Sequence, residues 1–224
     1  MNKIKFGVVV FPGSNCDHDA YYAAKKIMNQ DAEFLWHKEL DLKGSDVIIL
    51  PGGFSYGDYL RTGAIARLSP IMEKVKEFAA SGGFVIGICN GFQVLCESGL
   101  LPGVLLQNES LKFVCEDTRL KIENKHSIFT NKIEQEFLTI PIAHGDGNYF
   151  ADDKTIEELE KNNQIVFRYQ DTNPNGSIKN IAGIINKEGN VLGMMPHPER
   201  CADTIISNGD GSAIFNSVIS NLLK

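Results

Sequence analysis

Cysteine is scarce in this chain: five among 224 residues. Cys16, Cys89, Cys96, Cys115 and Cys201 are odd in number, widely spaced and without a C-x-x-C pair, which suits neither a disulfide framework nor a zinc site. Each is therefore read as a reduced thiol with its own role. Basic charge is short as well, with 22 Lys and Arg against 28 Asp and Glu for a net charge of -6. Binding to a phosphate backbone needs clustered cations, so a nucleic-acid partner is excluded. No apolar run approaches the ~18 residues of a membrane span, and the short run after Lys5 has no small-residue cleavage site behind it. The expectation is a cytoplasmic protein with no membrane partner. Linkers, repeats and low-complexity stretches are missing too. With 43% hydrophobic and 22% charged residues, disordered, collagen-like and coiled-coil readings fall away, leaving one domain over residues 1–224.

In the first half, short apolar runs alternate with helix-like stretches, the pattern of an α/β protein with a parallel sheet. Ile4–Phe11, Ala32–His37, Val47–Leu50 and Phe84–Ile88 are nearly continuous in apolar residues, as strands covered on both faces should be. Asp17–Met28 reads as a helix. Ser69-Pro70 opens a second, with a hydroxyl N-cap and proline at the first position, and Gly82-Gly83 stops it. A third runs through Phe92–Glu97. The second half changes style, with strands expected at Leu111–Glu123, Phe137–Ile142 and Ile165–Gln170, then a hairpin of Ile181–Asn186 and Val191–Met195. This predicts an antiparallel elaboration on a parallel core. A last helix at Gly211–Leu223 carries Ile214, Phe215, Val218, Ile219, Leu222 and Leu223 on one stripe.

Gly87-Ile88-Cys89-Asn90-Gly91-Phe92-Gln93 is a G-x-C-x-G where a buried strand hands over to a helix, the cysteine form of a nucleophile elbow. Flanking glycines leave room for a tight turn, and the helix start offers free N–H groups to an oxyanion. A nucleophilic thiol needs a base. Among His18, His37, His126, His144 and His197, the last stands out in Met195-Pro196-His197-Pro198-Glu199-Arg200. Prolines on both sides hold it extended, and residues two apart in extended chain share a side. Glu199 can therefore fix the imidazole tautomer. A buried packing thiol and a surface His–Glu pair would explain either motif alone, but their coexistence favours a Cys89–His197–Glu199 triad.

Pro51-Gly52-Gly53-Phe54-Ser55-Tyr56-Gly57-Asp58 follows the third strand and so shares the carboxyl edge with Cys89. It lacks the spacing of a Walker or dinucleotide loop. Its better use is an oxyanion donor, the Gly53 N–H opposite that of Asn90. Asp171–Gly176 begins like a calcium loop, but its twelfth position is Ala182, so it reads as a turn. Cys16-Asp17-His18-Asp19 reads as a helix start in which Cys16 packs or caps. His144-Gly145-Asp146-Gly147 follows a strand with no H-E-x-x-H nearby, so it is a ligand-contacting loop rather than a metal site.

Together, P-G-G-F-S-Y-G-D at 51–58, G-I-C-N-G-F-Q at 87–93 and P-H-P-E-R at 196–200 resemble the triad (class I) glutamine amidotransferases in order and spacing. Phe11–Asp17, Ala143–Asn148 and Gly193–Pro196 are similar to one branch, the glutaminase subunits of phosphoribosylformylglycinamidine synthase in purine biosynthesis. The resemblance spans essentially the whole chain. It implies a flavodoxin-like fold with helices on both faces, and hydrolysis of glutamine to glutamate and ammonia through a γ-glutamyl thioester. Cys89 would attack, His197 shuttle protons, and Gly53 and Asn90 supply oxyanion N–H groups. Gln93 would contact the substrate, while backbone around Ser55, Gly145 and Asp146 would hold its amino-acid end. The resemblance further implies no cofactor in this chain, with ATP and magnesium on a partner synthetase subunit that makes formylglycinamidine ribonucleotide, and a small accessory subunit beside it. Glu116 stands where a basic residue is expected in relatives. Two other readings stay open on the residues alone: an amidotransferase subunit feeding another acceptor, and a flavodoxin-like thiol-sensing or binding module.

Overall fold

The computed structural model describes residues 2–223. Along the chain come β1 (Lys5–Val10), α1 (Asp17–Tyr22), β2 (Asp31–Trp36), β3 (Val47–Leu50), α2 (Pro70–Ala80), β4 (Phe84–Ile88) and α3 (Asn90–Glu97). The second half supplies β5 (Val104–Leu106), β6 (Val114–Ile122), β7 (Phe137–His144), β8 (Asn148–Phe150), α4 (Asp153–Lys161), β9 (Ile165–Tyr169), β10 (Ile181–Ile185), β11 (Val191–Met194) and α5 (Gly211–Leu222). The main sheet has nine strands in the order β2-β1-β3-β4-β11-β10-β9-β6-β7, and β5 pairs with β8 apart from it.

β2, β1, β3, β4 and β11 pair in parallel, whereas β11, β10, β9, β6 and β7 alternate antiparallel. The α/β class, parallel core and antiparallel elaboration are as the sequence indicates. Burial shows why. All residues of β3, β10 and β11 are buried, so helices must cover both faces there. β7 instead alternates half-buried with buried positions, which is a sheet with only one face on the core. Glu116 lies on the exposed stretch of β6.

Differences from the sequence expectations have local causes. The first helix turns π-helical at Ala23–Ile27, and α3 begins at Asn90 because the elbow feeds straight into it. Leu111–Phe113 stay outside β6, with Leu111 in the left-handed region at φ 58°. Leu223 lies beyond α5 and is 43% exposed. α4 was not anticipated, although its signal is plain: Asp152 accepts from the Thr155 N–H at 2.7 Å as N-cap, and Ile156 and Leu159 are buried.

The parallel topology decides where chemistry can sit. The segments after β1, β3, β4 and β11 all emerge at the carboxyl edge, and β7, parallel in direction to β11, ends there too. This brings Phe11–Cys16, Pro51–Asp58, Cys89, His144–Gly147 and Met195–Glu199 to one rim.

α3 approaches β3 so closely that a Cβ on Gly91 would overlap the Leu50 carbonyl, whereas one on Gly145 would meet only Phe113 Cδ2 at 3.9 Å. Gly91→Ala is expected to lower the unfolding free energy by about 2–3 kcal/mol, read from urea denaturation, with Gly145→Ala within about 0.5 kcal/mol of the parent.

Candidate active site

Cys89 sits between β4 and α3 at φ 50°, ψ −105°, a conformation L-residues rarely adopt and one that functional sites tolerate. The turn is possible because its neighbours two residues away are glycines. A Cβ on Gly87 would run into Leu95 and lie 2.7 Å from the Gly91 carbonyl oxygen. The Cys89 N–H donates to the Met194 carbonyl at 2.8 Å, tying the elbow to β11.

Three residues beyond β11 comes His197, whose N–H donates to the Pro141 carbonyl of β7 at 2.8 Å. Its Nδ1 meets Glu199 Oε1 at 2.6 Å, and the two residues are 1% and 5% exposed. Burial alone would drive this imidazole neutral. The Glu199 carboxylate, followed by the Cys89 and Cys16 sulfurs, outweighs it and holds the histidine pKa well above the ordinary range. His197 Nε2 is buried without a hydrogen-bond partner, so a proton held there is available for transfer. Gly52 makes the assembly fit: a Cβ there would stand 2.7 Å from His197 Cε1 and 3.4 Å from Cys89 Cβ.

The cavity beside Cys89 is lined by Gly53, Phe54, Asp58, Thr62, Gln93, Ala143, His144, Gly145 and Asp146. Gln93 bridges the walls, donating through Nε2 to the Asp146 carbonyl at 2.6 Å and accepting from Asn90 Nδ2 at 2.8 Å. Ser55 is set behind the lining. Its N–H donates to Asn90 Oδ1 at 3.2 Å, and its hydroxyl is buried without a partner. The cavity volume is about 20 Å³, room for about one water. A roomier cavity of about 390 Å³, lined by residues such as Leu101, Thr155, Gln164 and Lys187, holds no nucleophile and lies away from the triad.

Sequence reasoning missed three parts of this site. Asp58 is one: burial first, and then the charge of Asp146, push its pKa up to about 6, and burial raises Asp146 as well. Two facing carboxyls are a receptor for a cation, and Asp58 was quoted in its motif without a role. A second is the brace behind His144. Asn175 Nδ2 donates to His144 Nε2 at 3.3 Å, so Nδ1 carries the proton toward Asn108 Oδ1 at 3.1 Å. Burial, reinforced by the His197 charge, lowers its pKa to about 4. His144 is thus a neutral pillar, and Asn108 Oδ1 also receives the Gly147 N–H at 2.9 Å.

The third is Cys16. Read from sequence as packing or capping, it stands at the N-cap position of α1 without a side-chain capping bond. Instead Arg200 Nη2 donates to its sulfur at 3.0 Å, and His197 is alongside. No local signal links residues 16 and 197. The loop it ends clamps the Gly53–Tyr56 segment, with the Phe54 N–H donating to the Gly13 carbonyl at 3.0 Å and the Tyr56 N–H to that of Pro12 at 2.6 Å. Gly13, at φ 85°, must be glycine because a Cβ would lie 2.5 Å from the Phe54 carbonyl oxygen. Asp171–Gly176 is a turn in which Asn173 Oδ1 accepts the Gly176 N–H at 2.9 Å.

Comparison with known proteins gives a consistent picture. Residues 3–214 match the model of the CobB/CobQ-like glutamine amidotransferase domain. Phosphoribosylformylglycinamidine synthase subunit PurQ of Salinibacter ruber is 55% identical over 97% of this chain and 97% of its own. The PurQ subunit of Moorella thermoacetica is 56% identical over 96% and 95%. Among solved structures, a chain of PurLQS from Thermotoga maritima superposes with a TM-score of 0.89 at 45% identity, covering 100% of both chains.

Removing the Asp146 charge should let Asp58 ionise more readily. In Asp146→Asn the Asp58 midpoint is expected to fall from about 6 by up to about one unit, while remaining above an ordinary aspartate because burial persists. Carboxyl-carbon NMR titration measures it, and an unmoved midpoint contradicts the coupling.

Proposed function

Because the chain belongs to the glutamine amidotransferases, in the branch of the PurQ subunits of phosphoribosylformylglycinamidine synthase, we propose that Cys89, His197 and Glu199 are its catalytic triad. It is the glutaminase subunit of that synthase. It hydrolyses glutamine and supplies ammonia to an ATP-dependent synthetase subunit, with a small third subunit in the complex, for conversion of formylglycinamide ribonucleotide to the amidine. The observation that carries the triad is the buried Nδ1 to Oε1 contact at 2.6 Å, with the opposite nitrogen unpartnered beside a cysteine held at an elbow.

The steps follow from these positions. His197, buried yet made strongly basic by Glu199, holds on Nε2 the proton that Cys89 gives up, and the sulfur attacks the side-chain amide carbon of glutamine. Negative charge develops on the amide oxygen. The Asn90 N–H, in the first turn of α3 and without an intrahelical acceptor, and the Gly53 N–H converge on that oxygen. His197 then returns the proton to the leaving nitrogen, ammonia departs, and water drawn by the same base hydrolyses the γ-glutamyl thioester. Glu199 holds the tautomer and stabilises the imidazolium throughout. Asp58 and Asp146 receive the α-ammonium group of glutamine, and Gln93, Gly145 and the backbone near Ser55 complete its amino-acid end. A thiol nucleophile also requires a reducing compartment, so we place the complex in the cytoplasm. Among the described residues no helix is long and apolar enough to cross a membrane.

The cavity of about 20 Å³ has room for about one water, and in this reading glutamine enters as the mouth widens. The oxyanion segment is built to switch. Tyr56, Asp58 and Leu60 are all left-handed, at φ 55°, 56° and 70°, and such backbone persists only where surroundings enforce it. Around the mouth, Phe54, Tyr59, Leu60 and Phe113 are exposed at 47%, 74%, 90% and 55%. An apolar rim on a reactive site suits a partner that covers it.

Cys89→Ala is expected to reduce glutamine-dependent amidine formation by a factor on the order of 10⁴ or more, while leaving synthesis from ammonium salts by the reconstituted complex intact. Retained glutamine use would remove Cys89 from its role.

The isolated chain is expected to release glutamate slowly, and the synthetase with its nucleotide substrates to accelerate it by about 100-fold, which needs only ~2.7 kcal/mol of preference for the open state. Equal kcat/KM with and without the synthetase refutes this coupling.

A further inference from the structure

Cys16 takes no part in the hydrolysis just described, yet it completes a cluster with two members of the triad. Its Sγ, a ring nitrogen of His197 and a carboxylate oxygen of Glu199 lie within 4.8 Å of one another, and the three residues are 2%, 1% and 5% exposed. Two of the three residues carry an atom without a partner: His197 Nε2 and Glu199 Oε2 are buried and make no hydrogen bond. A cavity of about 270 Å³, lined by Asp19, Tyr22, Glu199, Arg200, Asp203 and Ile206, reaches Glu199. We infer that Cys16, His197 and Glu199 form a zinc site at which the ion reversibly arrests the glutaminase.

The donor set selects the metal. Thiolate, imidazole and one carboxylate suit zinc, with water in the fourth tetrahedral position, whereas calcium and magnesium require many oxygen ligands and find one carboxylate here. Donors around tetrahedral zinc stand roughly 3.3–3.8 Å apart, as bond lengths of about 2.0–2.3 Å dictate. The donors, all within 4.8 Å of one another, therefore need only small side-chain adjustments to reach that spacing. On binding, the Cys16 thiol and the imidazolium release protons to solvent. The charges then balance, with two negative ligands against a dication. Arg200, hydrogen-bonded to the Cys16 sulfur at 3.0 Å and facing Asp19 at 3.5 Å, supplies the outer N–H contact that orients such a ligand. The consequence is direct: a metallated His197 has no lone pair for the Cys89 proton, and Glu199 no longer fixes the ring. This arrest rests on the triad reading, but the binding does not.

Two measurements separate them. Cobalt(II) added to the full chain carrying Cys89→Ala should give, at one equivalent, tetrahedral ligand-field bands with a thiolate charge-transfer band, displaced by zinc. Cys16→Ser in that background should weaken binding at least about 100-fold, and Cys16→Ala should match it. In the reconstituted complex, zinc should abolish glutamine-dependent but not ammonia-dependent synthesis, EDTA should restore it, and Cys16→Ser should need at least about 100-fold more zinc. Stoichiometric cobalt binding unaffected by either Cys16 variant, or none in the parent, overturns the site. Equal zinc sensitivity of parent and Cys16→Ser overturns the arrest. A failed triad reading shows itself separately, as Cys89→Ala that still uses glutamine.

Discussion

Parallel pairing of β4 with β11 sets Gly87 beside Gly193 and Ile88 beside Met194, and the Cys89 N–H extends that ladder to the Met194 carbonyl at 2.8 Å. Cys89 and His197 belong to distant parts of the chain, and this register alone brings them together. A one-residue slip would turn every side chain on β11 to the other face and carry the histidine with it. The packing above the pair enforces the register. A Cβ on Gly193 would run into Phe92 of α3, so the helix that follows Cys89 lies on the strand that leads to His197.

A second constraint is electrostatic. Burying an ionised pair is costly unless each charge is met, and the buried His197–Glu199 contact leaves one carboxylate oxygen and one ring nitrogen unmet. Those unmet atoms are the working surface of the site. The structure holds them in place from outside, since α5 packs so tightly that a Cβ on Gly211 would overlap the Pro198 carbonyl. Pro198 and Glu199 are thereby fixed between β7 and the C-terminal helix. The same poise that readies His197 for protons exposes it to a soft cation once Cys16 is beside it.

The third constraint is closure. The lining of the cavity is drawn together by Gln93 to Asp146 and by the clamp of Phe11–Cys16 on Gly53–Tyr56. Tyr56, which bears one bond of the clamp, begins a run of left-handed residues with Asp58 and Leu60, the segment whose movement the proposed function requires. In the function proposed above, the apolar rim at that mouth couples opening to the arrival of the synthetase, so that glutamine is spent where ammonia has a recipient.

Sequence by itself determined what local patterning can encode. Continuous apolar runs gave the parallel strands and Gly87 and Gly91 the elbow at Cys89, because each depends on residues adjacent in the chain; the extended chain expected at His197–Glu199 is instead a 3-10 turn over Pro198–Cys201, and it is this turn that brings the carboxylate back onto the ring. Even the unanticipated α4 was written locally, in Asp152 and the spacing of Ile156 and Leu159. What tertiary structure alone decided are meetings between distant segments. Asp58 faces Asp146 and thus titrates as a pair, Asn108 and Asn175 hold His144 neutral, and Cys16 lies against His197 and Arg200. Pair charges, hydrogen-bond direction and burial are properties of a packed interior. No window of sequence contains both members of such a pair, so only the folded sheet edge reveals them.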